Sequence, residues 1–331
     1  MDERSKRAQM ERKRRIRRKK QRRRVLISAL VEVLILAVLA LAFCWDRGLS
    51  AKVSGVLGIF DRPPVTELDV SGVNSSNVLL MDVKSGKVIG NLNGEERIYP
   101  ASMTKIMTAI VALEAFSDLD HEITLSENIF YALDGQDATQ AGFQPGESVR
   151  VRDLVYGVML PSGAECCLAL ADEVSGSEEA FVEKMNKKAK SIGMKDTHFM
   201  DCTGLHDPEH YSTAYDIALL LKYALHNDTF REVAESHFHS TPATNVHPDG
   251  ITYYSTMFKN MSDTSVTGGE ILGGKTGYTS EAGHCLASFA QIYDREYILV
   301  TAGAAADATG VPHILDAKTI YNRLGEAVAQ K

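Results

Sequence analysis

The chain has 331 residues, with 36 Lys and Arg against 43 Asp and Glu and a formal net charge of −7 at pH 7. A content of 44% hydrophobic and 24% charged residues excludes a chain disordered throughout, and 5 Cys exclude a disulfide scaffold. The length suits one large domain or two of average size.

The charge is not spread evenly. Residues 1–24 hold 14 Lys and Arg and 3 acids (Asp2, Glu3, Glu11), a local net of +11, and the other 307 residues hold 22 bases and 40 acids, a net of −18. Between the blocks lies VLISALVEVLILAVLALAFC, residues 25–44, interrupted only by Ser28 and Glu32. At a rise of ~1.5 Å per residue such a helix crosses a ~30 Å hydrocarbon core. The sequence therefore predicts a single-pass signal anchor over 25–44. The basic arm 1–24 is held in the cytoplasm by the positive-inside rule, Trp45 sits at the outer interface, and the acidic body lies outside the cytoplasm. A cleaved signal peptide would use Ala40 and Ala42, but the apolar run exceeds the ~7–15 residues of a usual signal core. A lipid attachment at Cys44 is opposed by bulky Phe43 before it. The arm lacks aromatics and a folded context, so it reads as a topology signal and not as a nucleic-acid site. Glu32 in a lone span reads as tolerated polarity.

Residues 46 to about 76, rich in Gly, Ser and Pro, read as linker. NVLLMDV and KVIGNLN then read as a hairpin turning at Lys84-Ser85-Gly86. In YPASMTKIMTAIVALEAF, Pro100 marks a helix start, and Ile106, Ile110 and Leu113 recur as one buried stripe. VRVRDLVYGVML and AECCLALADEV are short helices separated by Pro161-Ser162-Gly163. SEEAFVEKMNKKAKSIGM and STAYDIALLLKYALHN are two more. EILGGKTGY and HCLASFAQIYDREYILVTAGA read as strands with a turn at Asp294-Arg295, and a last helix covers about 314–328. Strands, helices, strands and a helix in that order suit a sheet fed from both chain ends around a helical insert.

Two constellations carry chemistry. In Ser102-Met-Thr-Lys105 the i and i+3 positions share a helix face, so a hydroxyl and an amine can meet. Ser102 lies near the helix start, where unpaired N–H groups favour developing negative charge. A lysine acts as a base only when neutral, and burial or a second cation drives it that way. The second is Lys275-Thr276-Gly277 on a strand, where an amine and a hydroxyl can bind a carboxylate and Gly277 lets a substrate backbone approach. The order S-x-x-K, a Ser-Gly loop at Ser162, then K-T-G is the set found in penicillin-recognising serine enzymes. Gly269 to Thr276 also matches the nucleotide-binding pattern G-x-x-x-x-G-K-[ST]. However, Gly-Tyr-Thr-Ser-Glu-Ala-Gly follows it, which cannot open the helix that a phosphate loop requires.

Together these motifs, with LPSGAECCLALAD, the TGLHD segment at 203–207 and GGKTGYTSEAG, resemble the serine D-alanyl-D-alanine carboxypeptidases, the low-molecular-mass penicillin-binding proteins. The likeness runs from about 66 to 323. It implies a linker at 45–65 and a catalytic domain at 66–331 with the α/β fold of penicillin-binding proteins and serine β-lactamases, an antiparallel sheet flanked by helices plus a helical lobe. It implies that Ser102 is the acylated nucleophile, Lys105 its proton acceptor, and Ser162 a relay to the leaving D-alanine. Lys275 and Thr276 would hold the terminal carboxylate, Gly277 would line the substrate strand, and the N–H groups of Ser102 and Tyr278 would form the oxyanion hole. The implied substrate is a peptidoglycan stem peptide ending in D-Ala-D-Ala, with β-lactams as inhibitors, no cofactor, no metal and no nucleic acid.

The middle motif of that family is usually Ser-x-Asn, and here Ala164 stands where the Asn would be, with Glu165 next to it. A non-catalytic β-lactam or muropeptide sensor is the alternative this raises. A serine β-lactamase is another, but its deacylating Glu would have to come from a loop, and the nearest candidates, Glu183 and Asn186, fall in an expected helix. His206 and His210 with Asp207 and Asp216 are the best metal-like cluster, and His237 and His239 lack a third ligand in order. His284 is a wall residue or a substrate contact. Of the vicinal pair Cys166 and Cys167 at most one is expected to face the core, and buried free thiols are expected for these two, Cys202 and Cys285.

Overall fold

The computed structural model describes residues 64–330. The basic arm at 1–24, the span expected at 25–44 and nearly all of the linker expected at 45–65 lie outside the described residues. Among those described, no helix is long and apolar enough to cross a membrane.

Strands β1 (Asn77–Asp82) and β2 (Val88–Leu92) form the expected hairpin. A 3-10 helix, Ala101–Thr104, runs straight into helix α1 (Lys105–Ala115). The insert continues with β3 (Glu122–Thr124), α2 (Glu127–Leu133), β4 (Ser148–Arg150), α3 (Val151–Met159), α4 (Ala164–Ser175) and α5 (Glu178–Ser191). It ends with α6 (Ala214–Ala224), α7 (Asp228–Glu235), β5 (Phe238–Ser240), β6 (Thr252–Tyr254) and α8 (Thr256–Asn260). The C-terminal part supplies β7 (Ser265–Val266), β8 (Gly269–Thr279), β9 (Gly283–Ile292), β10 (Arg295–Ala304) and α9 (Pro312–Ala329). The large sheet is antiparallel in the order β2-β1-β10-β9-β8-β7, so strands from both chain ends meet where β1 pairs β10.

Successive side chains of a strand face opposite sides. In β1, Leu79 and Met81 join the core shared with the helical lobe, while Val78 and Leu80 join the core under α9. Ile298 and Val300 against Tyr297 and Leu299 repeat the split in β10.

Three sequence expectations are corrected here. The stripe on α1 is in fact burial on every side from Lys105 through Leu113, because α1 touches α3, α4, α5, α6 and α7 and forms the axis of the helical lobe. Both Cys166 and Cys167 are fully buried, because α4 is enclosed by α1, α2, α3 and α5. All four described cysteines are free thiols, and burial pushes Cys167 up to about 12 and Cys285 up to about 11. Lastly, residues 64–76 are not linker. Val65 and Val70 enter the core under α9, and the Leu68 N–H donates to the Ile89 carbonyl at 2.6 Å. The buried Asp316 carboxylate accepts from the backbone and side chains of Asn74 and Ser75 at 2.6–2.9 Å.

Candidate active site

The 3-10 helix and α1 set the first pair of groups. Positions three apart nearly superpose in such a turn, and the Lys105 amine donates to Ser102 Oγ at 3.1 Å and to the Thr203 carbonyl at 2.5 Å. Lys105 is only 3% exposed. Ala101, just before Ser102, has φ +47°, a left-handed conformation that costs free energy for a residue with a Cβ and persists only where its surroundings enforce it.

The second pair comes from the turn between α3 and α4 and from β8. Ser162 sits at φ +72°, and the turn is pinned by the Gly163 N–H donating to the Gly157 carbonyl at 2.8 Å. The Lys275 amine donates to Ser162 Oγ and to the Thr276 carbonyl, both at 3.0 Å. Burial, and after it the charge of Lys105, hold the Lys275 ammonium well below the usual lysine range, so the neutral amine is favoured there.

A cavity of about 270 Å³ opens in front of the two serines. Ser102, Ser162, Thr276, Gly277 and Tyr278 line it, while Lys105 and Lys275 stand behind the hydroxyls they bind. The Thr276 and Thr256 hydroxyls are 2.7 Å apart. A Cβ on Gly277 would lie 3.1 Å from the Ser102 nitrogen, so glycine lets β8 lie against the turn that carries Ser102. Asp137, Thr139, His284 and His313 complete the walls with Asn260 and Gly310. Of these, only His284 was singled out from the sequence.

A loop behind Ser102 carries support that motif spacing does not reveal. Asp201 Oδ1 accepts from the Thr203 and Gly204 N–H groups at 2.6 Å each, and its Oδ2 lies 3.0 Å from His210 Nδ1. Burial opposes this charge, but His210 and Thr203 outweigh it and bring the Asp201 carboxyl down to about 2. His210 Nε2 lies 2.8 Å from Thr104 Oγ1, so the loop grips the turn that carries Ser102 from two directions.

The remaining candidates do not enter the cavity. Ala164 is buried, and its N–H donates to the Thr139 carbonyl at 2.8 Å. Glu165 does not replace the missing amide, because its carboxylate accepts from the Ala141 and Gly142 N–H groups at 2.6 and 2.8 Å. Glu183 and Asn186 lie on α5, where Asn186 is held by the Phe199 backbone at 2.8–2.9 Å. Gly269–Thr276 is extended strand, which bars a phosphate loop. His206, His210, Asp207 and Asp216 do not converge. Asp216 is taken by Asp196 and Thr197, and His206 packs edge-on to Tyr99. His237 stacks on Phe258, and His239 binds Asp153. Among the described residues no group of three His, Cys, Asp or Glu is placed to hold a metal.

A six-stranded antiparallel sheet, a helical lobe and two serine–lysine pairs facing one cavity define the α/β fold shared by penicillin-binding proteins and serine β-lactamases. The chain belongs to the peptidase S11 family of D-alanyl-D-alanine carboxypeptidases, whose family model matches residues 65–306. It is 34% identical over 246 residues to the D-alanyl-D-alanine carboxypeptidase DacF of Bacillus subtilis, covering 70% of this chain and 58% of that one. It is 34% identical over 254 residues to DacC of Escherichia coli, covering 72% and 59%. The chain thus spans less than two thirds of the length of these curated relatives. The crystal structure of the Streptomyces K15 DD-transpeptidase superposes with a TM-score of 0.69 at 26% identity, over 81% of this chain and all of that one.

Proposed function

We propose that this chain is a serine-type D-alanyl-D-alanine carboxypeptidase that removes the terminal D-alanine from peptidoglycan stem peptides through an acyl-enzyme. The observation that carries this reading is the pair of amine–hydroxyl contacts, Lys105 on Ser102 and Lys275 on Ser162, converging on one cavity. Ser102 Oγ attacks the penultimate D-alanine carbonyl and gives its proton to Lys105. The Ser102 and Tyr278 N–H groups take the oxyanion, a contact worth ~10²–10³ in rate per donor. Ser162, held by the Lys275 amine, passes its proton to the departing D-alanine nitrogen, and the proton that Lys105 took from Ser102 replaces it. Thr276 and Thr256 offer hydroxyls to the terminal carboxylate, and water then releases the acyl group from Ser102. A β-lactam follows the same path to a slowly released adduct.

The test is to incubate the chain with a fluorescent penicillin beside Ser102→Ala, and to measure D-alanine released from a pentapeptide. Ser102-dependent label and release are expected, and absence of that label sinks the proposal. Because Ala164 leaves the middle motif without an amide, label without release would instead favour a β-lactam or muropeptide sensor, and rapid turnover of the penicillin a β-lactamase.

The apolar run 25–44 behind its basic arm supports anchorage of this domain on the outer face of the cell membrane, with the N-terminus in the cytoplasm. Deleting residues 1–44 is expected to move the protein from alkali-washed membranes to the soluble fraction. Retention on the membrane after that deletion would discard the anchor.

A further inference from the structure

The cavity has one wall that the mechanism above does not use. His284 of β9 and His313 in the first turn of α9 both line it. Their rings stack in parallel, with centroids 5.0 Å apart and 5° between planes. His284 in turn lies against the Tyr278 ring at 4.6 Å, on the residue that pairs with it across β8 and β9. An irregularity in β10 between Thr301 and Ala304, with Gly303 at φ +73°, lies where β10 pairs with His284.

His313 is 4% exposed, yet its Nδ1 has no hydrogen-bond partner among the described residues. A buried polar atom left unpaired is costly and is rarely retained without a reason. The His313 ring lines the same cavity as Thr276 and Thr256. Few charges compete for it. Asp316, next on the helix, spends its carboxylate on Asn74 and Ser75. Asp307, in the loop before α9, is turned to Thr309 and Gly310. Asp137 lies elsewhere on the cavity wall, and Tyr278 is a neutral neighbour. The start of α9 adds the positive end of a helix dipole, which favours an anion.

We propose that His313, braced by His284, binds the terminal carboxylate of the substrate as an imidazolium, taking its proton from solvent as the anion arrives. This rests on the acyl-transfer reading above. In the free protein, burial and then His284 hold the His313 imidazolium down to about 4, with Asp316 opposing. Burial likewise lowers His284, against Asp307. Both rings are therefore neutral near pH 7. A carboxylate against the ring favours the charged form, so binding takes up a proton and affinity rises as pH falls. Recognition would then be specific for an anionic chain end and sensitive to acidity.

The test compares acylation of the whole chain by benzylpenicillin and by its uncharged methyl ester between pH 5.5 and 7.5. Titration of the groups both reagents need cancels in the ratio of their rates. If the anion restores an ordinary imidazole, the ratio of acid to ester should be about tenfold higher at pH 5.5 than at 7.5. His313→Asn should flatten it. His313→Arg, which carries a fixed charge, should keep it high at every pH, and this recovery separates binding from a merely structural role. A flat ratio in the unmodified protein, or an unchanged slope in His313→Asn, overturns the inference while leaving the acyl-transfer reading in place. Absence of Ser102-dependent label with either reagent overturns both.

Discussion

Lys105→Ala is expected to acylate at least ~10³-fold more slowly than the parent protein, approaching the complete loss expected of Ser102→Ala. A positioned base contributes ~10²–10⁴, and members of one nucleophile unit fail together, since each is idle without the other. The 3.1 Å contact to Ser102 makes these two groups such a unit. The substitution also removes a donor from the Thr203 carbonyl at 2.5 Å and leaves a gap in the axis of the helical lobe, so a stability loss of about 1–3 kcal/mol should accompany it. Lys105→Arg separates the roles. Arginine carries a fixed charge and cannot accept a proton. A loss equal to that of alanine marks Lys105 as the base. An arginine variant within tenfold of the parent would show that only the charge matters, and the proposed proton path would fail. Stopped-flow acylation with a chromogenic β-lactam, beside thermal unfolding of each variant, measures both effects.

What could be read from the sequence follows physical locality. Ser102 and Lys105 are three residues apart, so helical geometry alone brings them together. The hairpin at Ser85 and the long strands around Lys275 are equally local, and the sequence pattern places them. The helices α1 and α4 misled because periodicity reports one apolar face, while small residues such as Ala109, Ala112, Ala169 and Ala171 let neighbours pack on all sides. Residues 64–76 looked like linker because their partner, Asp316, lies 242 residues beyond Asn74. The pairs β3–β4 and β5–β6, three residues to a strand, are too short to show an alternating pattern. His313 follows Pro312 at an ordinary helix start. Only the sheet, by carrying His284 to the same cavity, gives it a role.

The loop at 201–210 shows the same limit and leads to the second large effect. Gly204 has φ +83°, and a Cβ there would come within 2.0 Å of the Ala101 carbonyl oxygen and 3.0 Å of the Ser102 nitrogen. Those atoms are backbone and belong to the turn that carries Ser102, so they cannot rotate out of the way as a flexible side chain could. Gly204→Ala must push Ala101 and Ser102 by a large fraction of an ångström or more, and a misplacement of ~1 Å near reacting groups costs ~10² in rate. The left-handed backbone adds a further ~1 kcal/mol of instability for any residue with a Cβ. Gly193 supplies the control, since it lies at φ +89° after α5 with no atom within 4 Å of an added Cβ. Gly193→Ala should share the backbone penalty, lowering the unfolding temperature by a few degrees, yet acylate like the parent. Gly204→Ala should lose at least ~10² in acylation beyond any change in stability. If the two variants acylate alike, the loop does not position Ser102, and its contacts to Ala101 and Lys105 serve only the packing of the lobe.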